Sequence, residues 1–292
     1  MAKVKEKPSE IVFSVVVMII LVLFCLVVLL PLIYVVSASF SDPYALMVGD
    51  VGLFPVNPTL SMYKRVFQNS EIWGSYLNTI IYTVVGTCIS LVLTCSGAYP
   101  LSRPDMYGRG PIMMVFTFTM FFSGGMIPSY LLVQRLNMMN SIWAIVVPSA
   151  ISTYNLIVMR TFYQQTIPNE LVESASLDGY NDLQIFAKIV LPLSAPIIAV
   201  MALFYGVAMW NSWFSALLYL RDRAKYPLQM ILREILIQND SSMANAATTD
   251  NEMIGLGIRY ATMVVATLPI MCLYPFLQKY FVKGVMIGAV KG

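Results

Sequence analysis

The sequence predicts an all-α membrane protein with six transmembrane helices. The mean hydropathy of the 292 residues is +0.73, and only 11% of them are charged, which is typical of a membrane protein. The charged residues are clustered, and six charge-free stretches between them are each long enough for a helix of about 20 residues to cross hydrocarbon. Helices are expected because lipid offers no partner for unpaired backbone groups. We place the spans near residues 11–37, 74–100, 111–134, 141–162, 189–217 and 260–281.

The first span and the polar loop after it form one predicted region, residues 11–73, behind a cytoplasmic N-terminus of residues 1–10. The apolar run from Ile11 to Leu32 is longer than the apolar core of a signal peptide, which is usually about 7–15 residues. A retained span is therefore favoured over a cleaved signal, although Val36-Ser37-Ala38 is a weak cleavage-like pattern.

Two later spans contain residues that break helices. Ser123-Gly124-Gly125 and Pro128 predict a broken or kinked third span, which is either a gate hinge or a tight packing site. Pro192 and Pro196 loosen the start of the fifth span. The long polar segment 218–259 before the last span is predicted to be partly helical.

The orientation follows from the basic N-terminus. Lys3, Lys5 and Lys7 precede the first span, so the positive-inside rule places this end in the cytoplasm, and six spans return the C-terminus to the same side. All four tryptophans then fall toward the outer membrane interface, where indole rings are favoured. These are Trp73, Trp143, Trp210 and Trp213.

Cysteine and histidine usage excludes several kinds of site. The sequence contains no histidine, so no His-based triad, base or metal site is predicted. The four cysteines lie inside predicted spans and are interpreted as small apolar fillers; they are Cys25, Cys88, Cys95 and Cys272.

The polar, amphipathic segment 163–188 is the most informative part of the chain because it lies between two long apolar runs. Asn169 is predicted to cap a first helix, and Gly179 to end it. Asn181 then caps a second helix, with Gln184 three residues later in a capping-box spacing. The segment is therefore expected to form a helix–turn–helix on the membrane surface.

The faces of this helix–turn–helix predict what it contacts. The small residues Ala175 and Gly179 are expected to allow another protein to approach closely. An apolar stripe at helical spacing is predicted on the second helix, formed by Leu183, Phe186, Ala187 and Val190. An ordinary amphipathic linker resting on lipid is the alternative.

The same segment carries a spaced motif. Glu173-Ser174-Ala175, three residues, Gly179, nine residues and Ile189-Val190-Leu191-Pro192 resemble the signature cytoplasmic loop of bacterial ABC-importer permeases, which is Glu-Ala-Ala, three residues, Gly, nine residues and Ile-x-Leu-Pro. Ser174 is the one departure, a small residue in place of alanine. The resemblance implies the type I ABC importer permease fold, with a permease domain at 74–281 and a cytoplasmic tail at 282–292.

Several stretches resemble the smaller permease of carbohydrate-uptake ABC importers of the maltose-type class, in its oligosaccharide-type branch. These are FFSGGMIPSYLL, NLIVMRTF, WNSWF, YPLQMILREIL and YFVKGVMIGAVKG. The resemblance implies a multi-pass subunit of the bacterial cytoplasmic membrane. Its implied partners are the bilayer, a second homologous permease, two cytoplasmic ATPase subunits and an extracellular sugar-binding lipoprotein, with no nucleic acid.

The motif residues are the candidate coupling residues. The resemblance implies that the first helix docks into a cleft of the ATPase, that Glu173 pairs with a basic residue there, and that Gly179 permits the sharp turn. The chain contains no G-x-x-x-x-G-K-[ST] motif, so ATP and Mg are expected on the partner and no cofactor in this chain, which is not itself an enzyme. The full candidate set is Glu173, Ser174, Ala175, Asp178, Gly179, Ile189, Leu191 and Pro192.

Polar and aromatic residues within spans are candidates for a sugar path, since polar groups in spans tend to face a cavity or a partner helix. Hydrogen bonding between helices and an interfacial aromatic belt are the competing interpretations. The candidates are Asn78, Asn155, Trp210, Asn211 and Trp213. Arg160 and Ser212 are further polar candidates, and the alternative for Arg160 is that its side chain simply extends toward the membrane surface.

Three other functions compete with a carbohydrate ABC permease. A secondary transporter commonly shows internal repeats and ionisable groups at mid-membrane, and neither is evident. A membrane-embedded enzyme lacks its usual histidines and paired acids here. An ABC permease for another solute stays open, because the loop motif is shared and only the flanking resemblance favours sugar.

Overall fold

The computed structural model describes residues 8–244, 254–272 and 275, and all regular secondary structure in them is helical. Three predicted features lie outside the described residues. They are the lysines at 3, 5 and 7, the tail 282–292, and the part of the last predicted span after residue 272, residue 275 excepted. The helices are α1 (Pro8–Phe40), α2 (Pro43–Val48), α3 (Ser61–Gln68), α4 (Ser70–Ser102), α5 (Arg109–Phe121), α6 (Met126–Arg135), α7 (Ile142–Val146), α8 (Thr153–Thr166), α9 (Asn169–Leu177), α10 (Asp182–Ile185), a π-helix (Phe186–Val190), α11 (Leu191–Leu193), α12 (Ala195–Trp210), α13 (Trp213–Tyr219), a 3₁₀ turn (Arg223–Lys225), α14 (Leu228–Ala244) and α15 (Ile254–Cys272).

Three of these helices, α1, α4 and α15, are long and apolar enough to cross a membrane. Two bent pairs raise the number to five if each pair is one span. The helices α5 and α6 meet at 114°, and the segment Asp182–Leu193 meets α12 at 81°. The bend before α12 lies beside Pro192 and Pro196, where the sequence predicted a loosened start of the fifth span.

The predicted break in the third span is confirmed at its glycines. Phe122 leaves the helical conformation with φ −119° and ψ 106°, and Gly125 precedes α6 with φ +85°. A left-handed φ of this kind favours glycine because it has no Cβ. The chain therefore turns sharply between α5 and α6.

The predicted fourth span, 141–162, is wrong as one continuous helix. The helix α7 ends at Val146 and α8 begins only at Thr153. Pro148 lies in the gap and has no backbone N–H to continue the helical ladder. The helix α8 instead runs on to Thr166, into the segment predicted as loop.

The described residues divide into two compact units, and those between 232 and 267 group with those up to Asn69, which the sequence did not predict. In this first unit the apolar α1 is almost wholly exposed. A small core of Ala38, Ala45, Leu46 and Val51 lies beside Tyr34 and Tyr260, whose rings meet edge-to-face at 5.8 Å. The loop predicted before the second span contains α2 and α3.

The second unit comprises Ser70–Ile231 and the described residues from Leu268 onward. It is built on α4, which packs against α8 and α12. Small residues allow the close approach: a Cβ on Gly86 would lie 2.8 Å from Sδ of Met209. Near the same contact, the Thr94 and Tyr205 hydroxyls are 2.7 Å apart and buried. The helix α4 is therefore the central element of this unit.

Candidate functional site

The helix α9 begins one residue after a proline. Ile167 is extended, with φ −102° and ψ 109°, and Pro168 is extended too, so α8 ends at Thr166. Asn169 is the first helical residue rather than the cap. The predicted N-cap role of Asn169 is wrong because Pro168 takes the cap position, without a side-chain hydrogen bond.

The C-terminal end of α9 forms a Schellman motif. The Tyr180 N–H donates to the Ala175 carbonyl (3.0 Å), and the Gly179 N–H donates to the Ser176 carbonyl (3.1 Å). Gly179 has φ +85°, and a Cβ built on it would meet nothing within 4 Å. Glycine is therefore required at 179 by the backbone conformation and not by lack of space.

The predicted capping box at the start of α10 is confirmed. The Gln184 N–H donates to Asn181 Oδ1 (2.9 Å), and the Asn181 N–H donates to Gln184 Oε1 (3.0 Å). Two backbone donors at the helix start are thereby satisfied. The turn between α9 and α10 is held on one side by the Schellman motif and on the other by this box.

The inner face of this helix–turn–helix packs on the protein's own core. The buried residues Val172, Ala175, Ile185 and Val190 cluster with α4 and α8 side chains that include Tyr99 and Tyr163. Ala175 is 5% exposed, so its small size serves this internal packing, and the prediction that it lets another protein approach closely is wrong.

The predicted apolar stripe is also wrong at two of its four positions. Leu183 is 78% exposed and Ala187 is exposed as well. The cause is the π-helix Phe186–Val190, whose wider turn places Ile185 and Val190, five residues apart, on one buried face. A strict 3.6-residue period could not locate that face.

The outer face combines acids with exposed leucines. Glu170, Glu173 and Asp178 are exposed, and within the described residues Glu173 makes no ion pair. Leu177 is 89% exposed, although sequence analysis gave it no role. Its position off the Val172–Ala175 face was the available signal.

The other motif residues lie on both faces. Ser174 is exposed, and its hydroxyl donates within the helix to the Leu171 carbonyl (3.1 Å). Ile189 and Leu191 are half-buried against the core, and Pro192 is exposed. The structure thus brings the eight candidate coupling residues together in one compact segment.

Side chains from other helices cap the C-terminal end of α4, and we call them the α4 brace. Arg160 Nε donates to the Leu101 carbonyl (2.8 Å), Gln164 Nε2 to the Ser102 carbonyl (3.2 Å), and Arg109 to the Arg103 carbonyl (3.1 Å). The last carbonyls of a helix lack internal partners and carry partial negative charge, so these donors satisfy them. Arg160 therefore caps this end of α4.

A cavity of about 400 Å³ lies between the end of α4 and α10. Its lining includes Tyr99, whose ring lies 5.1 Å from that of Phe186. At its edge Arg103 donates two hydrogen bonds to Asp105, at 2.9 and 2.8 Å. These bonds hold the pKa of the Asp105 carboxyl below its ordinary value and raise the pKa of Arg103.

The sugar-path candidates are engaged in structural contacts. Asn78 Nδ2 donates to the carbonyls of Ala224 (2.7 Å) and Tyr226 (3.2 Å), which fixes the 3₁₀ turn. Asn211 Nδ2 turns back to the Val207 carbonyl (2.9 Å). Asn155 is buried, and its backbone N–H donates to the Ser152 hydroxyl (3.4 Å).

The two tryptophans of this set differ in exposure. Trp210 is only 5% exposed and meets Tyr76 edge-to-face at 6.3 Å, so its predicted place in an interfacial belt is wrong. Trp213 is half-buried beside Phe214. In the described part of the chain, none of the five candidates lines either of the two cavities of about 400 Å³.

Comparisons with known proteins agree over almost the whole chain. The family model of binding-protein-dependent transport system inner membrane components matches residues 108–287. The polygalacturonan/rhamnogalacturonan transport system permease protein YtcP of Bacillus subtilis (strain 168) is 44% identical over 93% of this chain and 96% of its own length. Protein LplC of the same organism is 45% identical over 90% of each chain.

A solved structure is similar as well. It is a chain from the crystal structure of a bacterial ABC transporter involved in the import of the acidic polysaccharide alginate. The similarity has a TM-score of 0.85 with 35% identity and covers 96% of this chain and 100% of that chain.

Proposed function

The chain belongs to the family of binding-protein-dependent transport system inner membrane components, and from this premise we propose that it is the permease subunit of an ATP-driven importer of oligosaccharides. It forms half of the translocation pathway in the bacterial cytoplasmic membrane, with both termini in the cytoplasm. A second homologous permease forms the other half. An extracellular sugar-binding lipoprotein delivers the substrate. The names of related transport systems support a carbohydrate substrate.

The observation that carries the proposal is the two-faced helix–turn–helix of α9 and α10. Its inner face is locked to the core through Val172 and Ile185, while its outer face presents Glu173 and the 89%-exposed Leu177. A rigid segment with acids around exposed leucines suits docking to a protein that offers an apolar cleft with a basic rim. That protein is the cytoplasmic ATPase.

The mechanism is coupling between two conformations. ATP closes the ATPase dimer, which contacts the docked segment differently in the closed and open states, and this difference shifts the permease between inward- and outward-open forms. The chain has no P-loop sequence, so ATP and Mg are bound by the two ATPase subunits. This chain performs no bond chemistry.

The α4 brace gives the docked segment a route into the membrane-crossing part. Only Ile167 and Pro168 separate α8 from α9, so a displacement of α9 moves α8. Arg160 and Gln164 of α8 in turn hold the end of α4. The segment, α8 and α4 therefore move together.

Reconstitution tests the proposal. A tagged copy should co-purify with a second permease and an ATPase, and proteoliposomes of that complex with the lipoprotein should take up labelled oligosaccharide with internal ATP but not with ADP. Transport by this chain alone without ATP would instead establish a secondary transporter. ATP-driven uptake of a non-sugar solute only would refute the carbohydrate assignment.

A further inference from the structure

A second cavity, of about 410 Å³, lies in the second unit, away from the cavity beside the C-terminal end of α4. No function has been assigned to it above. It is formed where α6 ends, along the turn to α7, and just after α13. We call it the 134–221 recess after its lining residues, which are Gln134, Asn137, Met139, Asn140 and Arg221. Its volume falls within the range of about 300–1,000 Å³ that is usual for small-molecule sites.

The wall of the recess is pre-organised around Asn140. Asn140 Oδ1 accepts the backbone N–H groups of Arg221 (3.1 Å) and Asp222 (3.0 Å), and the Asn140 N–H donates to the Tyr219 carbonyl (2.9 Å). Lys225 Nζ donates to the Asn140 carbonyl (3.0 Å). These contacts fix the backbone on both sides of the recess before any ligand arrives.

Two asparagines in this turn adopt left-handed backbone conformations. Asn137 has φ 54° and Asn140 has φ 58°. Asparagine tolerates this region better than most residues, and such conformations often occur at binding sites. The turn therefore holds two carboxamide side chains at the recess.

Of the three basic side chains at residues 221, 223 and 225, two have carboxylate partners within the protein, and Arg221 is the exception among the described residues. Arg223 makes a bidentate pair with Glu71, and Lys225 Nζ lies 3.8 Å from Asp222. Arg221 is exposed and has no carboxylate partner among the described residues. Its planar guanidinium is suited to grip a carboxylate with two parallel hydrogen bonds.

We infer that the 134–221 recess binds a uronate unit of an acidic oligosaccharide, with Arg221 on the carboxylate and the carboxamides of Gln134 and Asn137 on the hydroxyls. The carboxamides of Gln134 and Asn137 can both donate and accept, as sugar hydroxyls require, whereas Asn140 Oδ1 is already occupied by two backbone N–H groups and Asn140 can offer a ligand only its Nδ2 donor. The inference rests on the proposed function and names its substrate class. In the topology proposed above, the recess lies on the extracellular side, where the sugar arrives.

The comparisons support an acidic substrate. One relative is named for polygalacturonan and rhamnogalacturonan transport, and the similar solved structure belongs to an importer of the acidic polysaccharide alginate. A contact for the sugar-binding lipoprotein is the alternative use of the recess, and the test separates the two.

The test measures direct binding to the purified complex of this chain with its co-purified partners, without the lipoprotein. The probes are trigalacturonate and its fully methyl-esterified form, which differ in charge but share the sugar backbone. We expect titration calorimetry to show that the complex binds trigalacturonate, and that Arg221→Gln weakens this binding about tenfold, which is equivalent to about 1.4 kcal/mol. Binding of the ester should not change.

Two variants serve as controls. Arg65→Gln removes the same charge from an exposed position on α3 and should leave trigalacturonate binding unchanged. Arg221→Lys keeps the charge but loses the planar fork, so its loss should be smaller than that of Arg221→Gln.

Several results would overturn the inference: no trigalacturonate binding to the complex, an equal loss for both probes, an equal loss in Arg65→Gln, or no loss in Arg221→Gln. If Arg221→Gln instead binds trigalacturonate normally but fails to respond to the lipoprotein, the recess is a docking contact. ATP-driven uptake of a neutral oligosaccharide alongside any of these results would leave the proposed function standing. Normal trigalacturonate binding without ATP-driven uptake would refute that function alone.

Discussion

The two ends of α4 are held in opposite ways. At its N-terminal end, side chains of α4 reach out to another segment: Asn78 and Tyr82 donate to carbonyls of residues 224–226, and Thr79 accepts the Leu228 N–H (2.7 Å). At its C-terminal end, side chains of α5 and α8 donate to the carbonyls of Leu101 and Ser102 in α4 and of Arg103 directly after it.

The difference distinguishes an end of α4 that holds another segment in place from an end through which another segment can displace α4. At the first end α4 fixes a single turn, and a displacement of that turn need not move the helix axis. At the second end α4 is held by α8, which leads into the α9–α10 helix–turn–helix, so a force on that segment reaches the axis of α4. Changes at the two ends should therefore affect stability alike but coupling differently.

The largest effect is expected at Gly179, in the helix–turn–helix that acts through α8 on the C-terminal end of α4. Gly179→Val places a β-branched residue at φ +85°, which costs on the order of 1–3 kcal/mol and opposes the docking-competent turn. ATP-driven uptake in proteoliposomes should fall about tenfold or more, with the complex still assembled. Gly179→Asn, which tolerates this conformation better, should retain more activity, and equal activity of the valine variant and the native chain would contradict the role of the turn.

The next effect tests the brace itself. Arg160→Met leaves the Leu101 carbonyl without its 2.8 Å donor, which should lower the free energy of unfolding by about 1–3 kcal/mol. Thermal melting of the purified complex measures the stability loss. The number of sugars taken up per ATP hydrolysed should also fall, and an unchanged ratio would show that the brace only stabilises.

The matched change at the other end is Asn78→Leu, which removes the donor to the Ala224 and Tyr226 carbonyls. Stability should fall by about 1–2 kcal/mol, while the ratio of uptake to ATP hydrolysis stays at its native value. A selective loss of affinity for the sugar would instead restore Asn78 to the substrate path.

The smallest effect concerns the capping box. Asn181→Ala removes the acceptor for the Gln184 N–H and should lower stability by about 1 kcal/mol, with a proportionate loss of uptake. Ser174→Ala is the control, because the Ser174 hydroxyl bonds only within its own helix and alanine is a better helix former. Its effect should be close to zero, and a loss as large as that of Asn181→Ala would make Ser174 a contact residue.

Most local signals in the sequence predict the structure correctly, although Asn169 is the first helical residue of α9 and not its N-cap. Asn181 and Gln184 satisfy each other across one turn, and Gly125 and Gly179 show left-handed conformations at the predicted break and helix end. Such features depend on neighbouring residues alone. The family resemblance then supplied the fold, which the comparisons support.

Features that depend on distant partners were not predicted. Asn78 bonds to carbonyls almost 150 residues away, and no pattern around Asn78 indicates them. The direction of Ala175 depends on the core beneath it, and the π-helix shifts the register that a regular period assumes. The fourth span is interrupted at Pro148, a residue that the prediction from charge-free length alone did not take into account.

Labelling of Leu177 tests most directly that the helix–turn–helix faces the cytoplasm and docks to the ATPase. In a variant with Cys25, Cys88, Cys95 and Cys272 replaced by alanine, Leu177→Cys places a thiol at an 89%-exposed site. A membrane-impermeant maleimide should label this thiol in inside-out vesicles stripped of ATPase. Rebinding of the ATPase should protect the thiol from labelling, and the reagent should not reach it in intact cells. Labelling from outside intact cells would contradict the account.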